Sequence, residues 1–159
     1  MRIPAALLAL ALLAGCASNS LENPNLQAPI ATDRAEVVGS KILGEGGIPH
    51  QIYVSSLDGK RLTYNAVDLT RRIWPIEPGA HEFGVSYTGS VGKIFIKPFV
   101  ADGAIRASLS AGHRYMVKIR GVGGDHIVFY FDDTADGKEA AVSEPVLLVD
   151  VPLPVMVPR

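Results

Sequence analysis

Cysteine is nearly absent: the 159 residues contain one, Cys16. A lone thiol closes no disulfide within the chain, so the core must hold without covalent help. Long apolar runs are missing too. The longest, the nine residues of Ala and Leu from Ala5 to Leu13 with Ala14 behind them, is far short of the roughly 20 that a membrane-spanning helix needs. There is no excess of positive charge, since 15 Lys and Arg stand against 16 Asp and Glu; that balance excludes the electrostatic footprint of a nucleic-acid binder. Beyond residue 16 no stretch sustains helical periodicity, which argues against a helical domain. No Gly-x-Ser-x-Gly elbow occurs, so the sequence signature of one large hydrolase class is lacking. None of the four histidines, His50, His81, His113 and His126, lies two or four residues from another, so no ready metal-ligand pair is present. No cofactor and no catalytic activity are expected.

What is present starts at the N-terminus. Arg2 supplies a positive charge, the Ala/Leu run follows, and Ala14-Gly15 are small, which is the arrangement of a secretory signal. Leu13-Ala14-Gly15-Cys16 resembles the lipobox of bacterial lipoproteins. The resemblance implies cleavage before Cys16, a diacylglyceryl group on its thiol and acylation of the new α-amino group. With each buried CH₂ contributing about 0.8 kcal/mol, two or three chains on one residue make a stable anchor. The same resemblance reads Ala17, where an Asp would favour the inner membrane, as a pointer to the outer membrane with the domain in the periplasm. The alternative is an ordinary secretory signal with Cys16 left free.

Four segments follow from this. Residues 1–15 are the signal peptide, and their removal takes away only one charge, Arg2, leaving 144 residues and a formal charge of −2. Residues 16–34, rich in Ser, Asn, Pro and Gln, read as a linker; a flexible segment of that length has a reach of roughly 20–25 Å. Residues 35–151 are one domain by length, and residues 152–159, with three prolines, form an extended tail.

Sixteen Gly and eleven Pro are spread through the whole chain, as expected of many turns between short strands. Strands are predicted at Ala35–Leu43, at Gln51–Ser55 with Ile52 and Val54 inward, and at Arg61–Tyr64. Asp58-Gly59 between the last two is a hairpin signal, because both residues tolerate positive φ. Residues 65–72 fit a helical turn or a loop. Ile73–Pro78 carries two prolines, which restrict it to an edge or an extended connection. Then period-two alternation recurs: Phe83, Val85, Tyr87; Ile94, Ile96; Ile105, Ala107, Leu109; Tyr115, Val117, Ile119. Ile127–Phe131 is apolar on both faces and reads as a central strand, and Val146–Val151 as the last. The pattern predicts an all-β, antiparallel β-sandwich of about seven to nine short strands, with an immunoglobulin-like or transthyretin-like outline.

Asp58-Gly59-Lys60, Pro78-Gly79-Ala80-His81, Ala111-Gly112-His113-Arg114-Tyr115 and Phe131-Asp132-Asp133 occur in that order. The series resembles the small β-sandwich domains of proteobacterial lipoproteins, including PEGA-like domains. That resemblance, over residues 50–137, implies the sandwich and adds little on function.

The candidate sites are these. Six cations, Lys93, Lys97, Arg106, Arg114, Lys118 and Arg120, lie opposite in parity to the apolar set of their own strand, with only Asp102 opposing them. If their strands are neighbours, they form one basic sheet face able to hold an anionic glycan or lipid; as scattered charges they are a solvated face that discourages edge pairing. His81 and His113 each follow a Gly turn and would be sheet neighbours in a metal site, or else turn residues bonded to backbone. Asp132 to Gly137 partly matches a calcium loop, but the twelfth position is Ser143, not Glu. Asp125-His126 with a serine would be the makings of a hydrolase. The tail from Pro145 is available for strand addition to a partner. The expectation is a non-enzymatic outer-membrane lipoprotein whose domain binds or scaffolds in the envelope, its partners being the membrane through the anchor and an envelope protein or peptidoglycan. A module binding an anionic ligand is the alternative, and an envelope hydrolase the third reading.

Overall fold

Where clean period-two alternation falls within the described residues, the chain forms strand with the expected side inward. The computed structural model of the chain describes residues 24–44, 47–64, 69–91 and 97–152. Residues 1–23, including the expected lipobox Leu13-Ala14-Gly15-Cys16, and the tail from residue 153 lie outside them. A 3-10 turn, Pro24–Gln27, precedes the first strand, and the described strands form two sheets packed face to face. The first holds β1 (Ala35–Val38), β5 (Ile73–Ile76), β8 (Arg114–Gly123), β9 (His126–Asp133), β10 (Glu139–Val142) and β11 (Val146–Leu147), in the order β10-β9-β8-β1-β5 with β11 also on β9. The second holds β2 (Ser40–Leu43), β3 (Pro49–Leu57), β4 (Lys60–Arg61), β6 (Gly79–Val91), β7 (Lys97–Leu109) and β12 (Val149–Asp150), in the order β12-β7-β6-β3-β2 with β4 also on β3. Pairing is antiparallel except between β1 and β8, which run parallel.

The β-sandwich is as expected, but the twelve strands among the described residues exceed the seven to nine read from the pattern, and the reason is geometric. The single strand predicted over residues 35–43 breaks at Gly39, where the chain leaves the first sheet as β1 and enters the second as β2. The crossing is tight: a Cβ on Gly39 would lie 2.5 Å from the Ile52 carbonyl oxygen and 2.8 Å from Thr70 Cα. Ser40 Oγ then donates 2.5 Å to the Val117 carbonyl in the sheet just left. The predicted last strand divides the same way at Leu148, into β11 on the first sheet and β12 on the second. The chain thus crosses between sheets at both sides of the sandwich. At the hairpin, Asp58 and Gly59 have φ of 48° and 76°, the type I′ geometry that matches strand twist. The return strand is shorter than predicted, two residues in β4. Residues 69–72 are turn and bend, while 65–68 lie outside the described residues. β5 is an edge strand, as its proline, Pro75, requires. The alternation at Ile94 and Ile96 also lies outside the described residues; β6 and β7 flank it as the thirteen-residue arms of one hairpin, paired from Gly79↔Leu109 to Val91↔Lys97.

The core lies between the sheets. Ile52, Val85, Ile105 and Val117 are fully buried, and Phe83 meets Phe131 edge-on at 5.0 Å between ring centres. The linker is shorter than its composition implies. The Arg114 guanidinium donates to the carbonyls of Leu26 and Ala28, and Gly112 N–H donates to that of Arg34. Residues 26–34 are therefore held on the domain.

Candidate functional site

The expected basic face is not assembled. β7 and β8 are consecutive in sequence but belong to opposite sheets, so Arg106 stands on one outer surface of the sandwich and Lys118 and Arg120 on the other. Lys97 opens β7 in the same parity as Phe99, at the far end of the strand from Arg106. Lys93 lies outside the described residues. The five others are paired: Lys97 with Asp150 at 2.5 Å, Arg106 with Glu82 at 2.7 Å, Lys118 with Asp132 and Arg120 with Glu139, and Arg114, with its side chain only 4% exposed, with Glu36 at 2.6 Å. Four of the pairs link neighbouring strands and the fifth, Arg120–Glu139, reaches across β9 from β8 to β10; together they disperse positive charge rather than focus it.

The histidines are occupied too. His81 Nδ1 lies 2.8 Å from Asp58 Oδ2, and its Nε2 lies 2.8 Å from the Glu77 carbonyl. Both partners only accept, so the contacts favour the protonated ring, in which both nitrogens donate. The Asp58 hydrogen bond accordingly raises the His81 pKa above its ordinary 6.5. The Glu82 N–H, and after it His81, hold the Asp58 carboxyl below its ordinary 3.8. His113 Nδ1 lies 2.6 Å from Asp133 Oδ2. His81 and His113 are in fact placed on different sheets, at the ends of a chain of ring contacts through Phe83, Phe131 and Tyr115, so they are not sheet neighbours. His50 is sealed in the core: its Nε2 donates 2.8 Å to the Ser90 carbonyl and its Nδ1 accepts 2.7 Å from the Tyr87 hydroxyl, whose pKa burial pushes up to about 12. In the would-be calcium loop, Asp132, Asp133 and Asp136 already bind Lys118, His113 and Lys138. Among the described residues no group of three or more His, Cys, Asp or Glu could hold a metal ion. Asp125 and His126 sit exposed at the β8–β9 turn.

The feature the alternation did not reveal is a groove of about 690 Å³ on the outer face of the second sheet. Its floor is a cross-strand row: Tyr53 on β3 is paired with Ser86 on β6, and Ser86 with Asp102 on β7. A β-bulge between Val54 and Ser56 shifts the β3 register, so Ser55 and Ser56 both turn their hydroxyls over Gly84; a Cβ there would collide with Ser56 Oγ and lie 3.1 Å from Ser55 Oγ. Ser86 points outward from its strand, yet is only 6% exposed, because residues 61–64 and Leu69 form a wall over it. That wall is tied down. Leu62 N–H donates 2.9 Å to the Ser55 carbonyl, the Tyr64 hydroxyl donates to the Val54 carbonyl, and Trp74 Nε1 donates 3.3 Å to the Tyr64 hydroxyl. Tyr64 sits edge-on to both Tyr53 and Trp74, and Arg72 lies over the Trp74 ring. On the floor Ser86 Oγ donates 2.5 Å to Asp102 Oδ1, fixing the carboxylate. The only sequence trace of this site is the Ser55-Ser56 doublet, which breaks alternation where the bulge falls.

Comparison with protein-family models, with curated proteins and with solved structures finds no match to this chain.

Proposed function

We propose that the chain is a non-enzymatic, lipid-anchored binding module of the bacterial envelope, attached to the outer membrane through Cys16 and presenting its sandwich to the periplasm. The location rests on Leu13-Ala14-Gly15-Cys16 closing an apolar run. The observation that carries the binding role is the walled groove on the second sheet: a strand-face serine 6% exposed beside a fixed carboxylate is a preformed recess with convergent polar groups, the usual character of a ligand site. Such a groove has recognition chemistry, while His81, the histidine nearest a carboxylate on that sheet, has both ring nitrogens engaged, by Asp58 and by the Glu77 carbonyl.

The anchor is tested by intact mass and gradient fractionation of the native protein beside Cys16→Ser. The expected result is an acylated Cys16 in the outer-membrane fraction and loss of that fraction in the variant. A soluble, unacylated native protein would overturn the location.

A further inference from the structure

We infer that the groove on the second sheet binds a neutral glycan, holding pyranose rings along the row Tyr53–Ser86–Asp102; this rests on the groove being the binding surface proposed above and names its ligand class. Neighbouring strands are about 4.8 Å apart, so the row is roughly 10 Å long, room for more than one sugar ring. Hydroxyls both donate and accept, and so do the hydroxyls of a sugar; Ser55, Ser56 and Ser86 bring three to the floor. Asp102 uses one acceptor site on Ser86, and a carboxylate has about four, enough to take two vicinal sugar hydroxyls. The Tyr53 ring supplies an apolar surface for the C–H face of a pyranose, with its hydroxyl as a polar tip.

Other ligand classes fit less well. A phosphate or polyanion would have to lie beside Asp102, whose charge offsets that of Arg61 in the same groove. An extended peptide recognised by strand addition needs open backbone groups, but β6 is paired on both sides at this row, and on the outer side of β3, between its pairs with β2 and β4, the Val54 and Ser55 carbonyls are taken by the Tyr64 hydroxyl and Leu62 N–H. Recognition must therefore come from side chains, and the polar ones are hydroxyls, phenols, the Asp102 carboxylate and the Arg61 guanidinium that offsets it. The single tryptophan, Trp74, is bonded to the wall through Tyr64, which gives the groove a built-in optical reporter.

The test titrates the membrane-purified full chain in detergent with N-acetylglucosamine trimer, with cellotriose and with inorganic phosphate, reading Trp74 fluorescence and heat of binding. Saturable binding of an oligosaccharide is expected, weakened at least tenfold by Asp102→Asn and by Tyr53→Ala, largely retained in Tyr53→Phe and unchanged in Lys97→Gln, with thermal melts confirming that each variant is folded. Should Asp102→Asn fail to fold, Ser55→Ala is expected to weaken binding in its place. No oligosaccharide binding at millimolar concentration, binding indifferent to all groove variants, or phosphate saturating the groove instead would overturn the inference. The two proposals fail separately: an acylated protein that ignores sugars removes the glycan and keeps the anchor, while an unacylated protein that binds them removes the anchor and keeps the glycan.

Discussion

Arg114 offers the sharpest test of the architecture, because parity alone places it in solvent and the structure buries it. Its Nε donates 2.7 Å to Glu36 Oε2, Nη2 lies 2.6 Å from the same oxygen, and Nη1 and Nη2 donate to the carbonyls of Leu26 and Ala28. The pair sits where β1 and β8 run parallel, with Glu36 in register with Arg114. The side chains are 4% and 13% exposed, so solvent screens the pair little. Arg114→Met keeps the aliphatic stem and removes the guanidinium. Glu36 is then a buried carboxylate without its partner, a defect that costs about 3–5 kcal/mol. Total stabilities are about 5–15 kcal/mol, so this is a large fraction. At about 4 °C per kcal/mol for a domain of this size, the melting temperature should fall by roughly 12–20 °C. The two carbonyls are not added to that figure, since they can rehydrate when the segment lifts. Glu36→Leu combined with Arg114→Met removes both charges and should recover to within about 2 kcal/mol of the native protein, yet residues 26–30 should lose protection from proteolysis and hydrogen exchange in both variants. Urea denaturation gives the first readout and exchange the second. A single variant as stable as the native protein, or a double variant as unstable as the single, would refute the reasoning.

Two further outcomes follow from the geometry. Gly89→Ala would put a Cβ 2.8 Å from the Tyr87 hydroxyl oxygen, 2.9 Å from Phe99 Cε2 and 3.0 Å from His50 Cγ; overpacking of this kind costs about 1–3 kcal/mol, and an unchanged urea midpoint would contradict the sealed His50 cluster. The His81–Asp58 contact should make stability depend on pH in a defined sense. The raised pKa of His81 contributes stability that is complete below its ordinary 6.5 and is lost as pH rises through the higher folded value. The lowered pKa of Asp58 contributes stability present above its ordinary 3.8 and lost as pH falls through the lower folded value. Melting temperature measured against pH should therefore show a limb above pH 6.5 that flattens in His81→Ala, and a limb that survives the substitution would mean another group carries it.

Most of the strands were readable because alternation reports which side of a strand is wet. At Phe83, Val85 and Tyr87, and again at Ile105, Ala107 and Leu109, the inward side was correctly identified. Alternation does not report which sheet a strand joins. Val38-Gly39-Ser40 continues the pattern through a sheet crossing, and only Gly39, where a Cβ would meet backbone, hints at it. The same blindness produced the basic face. Strands β7 and β8 are adjacent in sequence and each carries outward cations, but the turn between them changes sheets. Arg114 has outward parity and is covered by residues 26–28, a contact at a separation of more than eighty residues that no local pattern contains. The groove was hidden for a related reason: Tyr53, Ser86 and Asp102 become one row only when β3, β6 and β7 pair.

The covering of Arg114 also bears on how an anchored domain would face. Arg114 stands on the outer side of the first sheet, so residues 26–28 leave the domain there, on the side away from the groove. From Cys16 to Leu26 the chain spans at most about 36 Å. A lipid on Cys16 would then hold the first sheet toward the headgroups and turn the groove away from them, open to ligands on the periplasmic side. Fluorophores on Lys118→Cys, outward on the first sheet, and Ala104→Cys, outward on the second, should report this in vesicles whose headgroups carry a quencher. Because an acylated Cys16 takes no label, each variant has one reactive thiol. Lys118→Cys should be quenched more strongly than Ala104→Cys, and Arg114→Met, which frees the segment, should narrow the difference. Equal quenching at both positions in the native background would mean that the hold on Leu26 and Ala28 does not orient the domain; stronger quenching at Ala104→Cys would put the groove against the membrane and make a lipid headgroup, rather than a periplasmic glycan, the ligand to test.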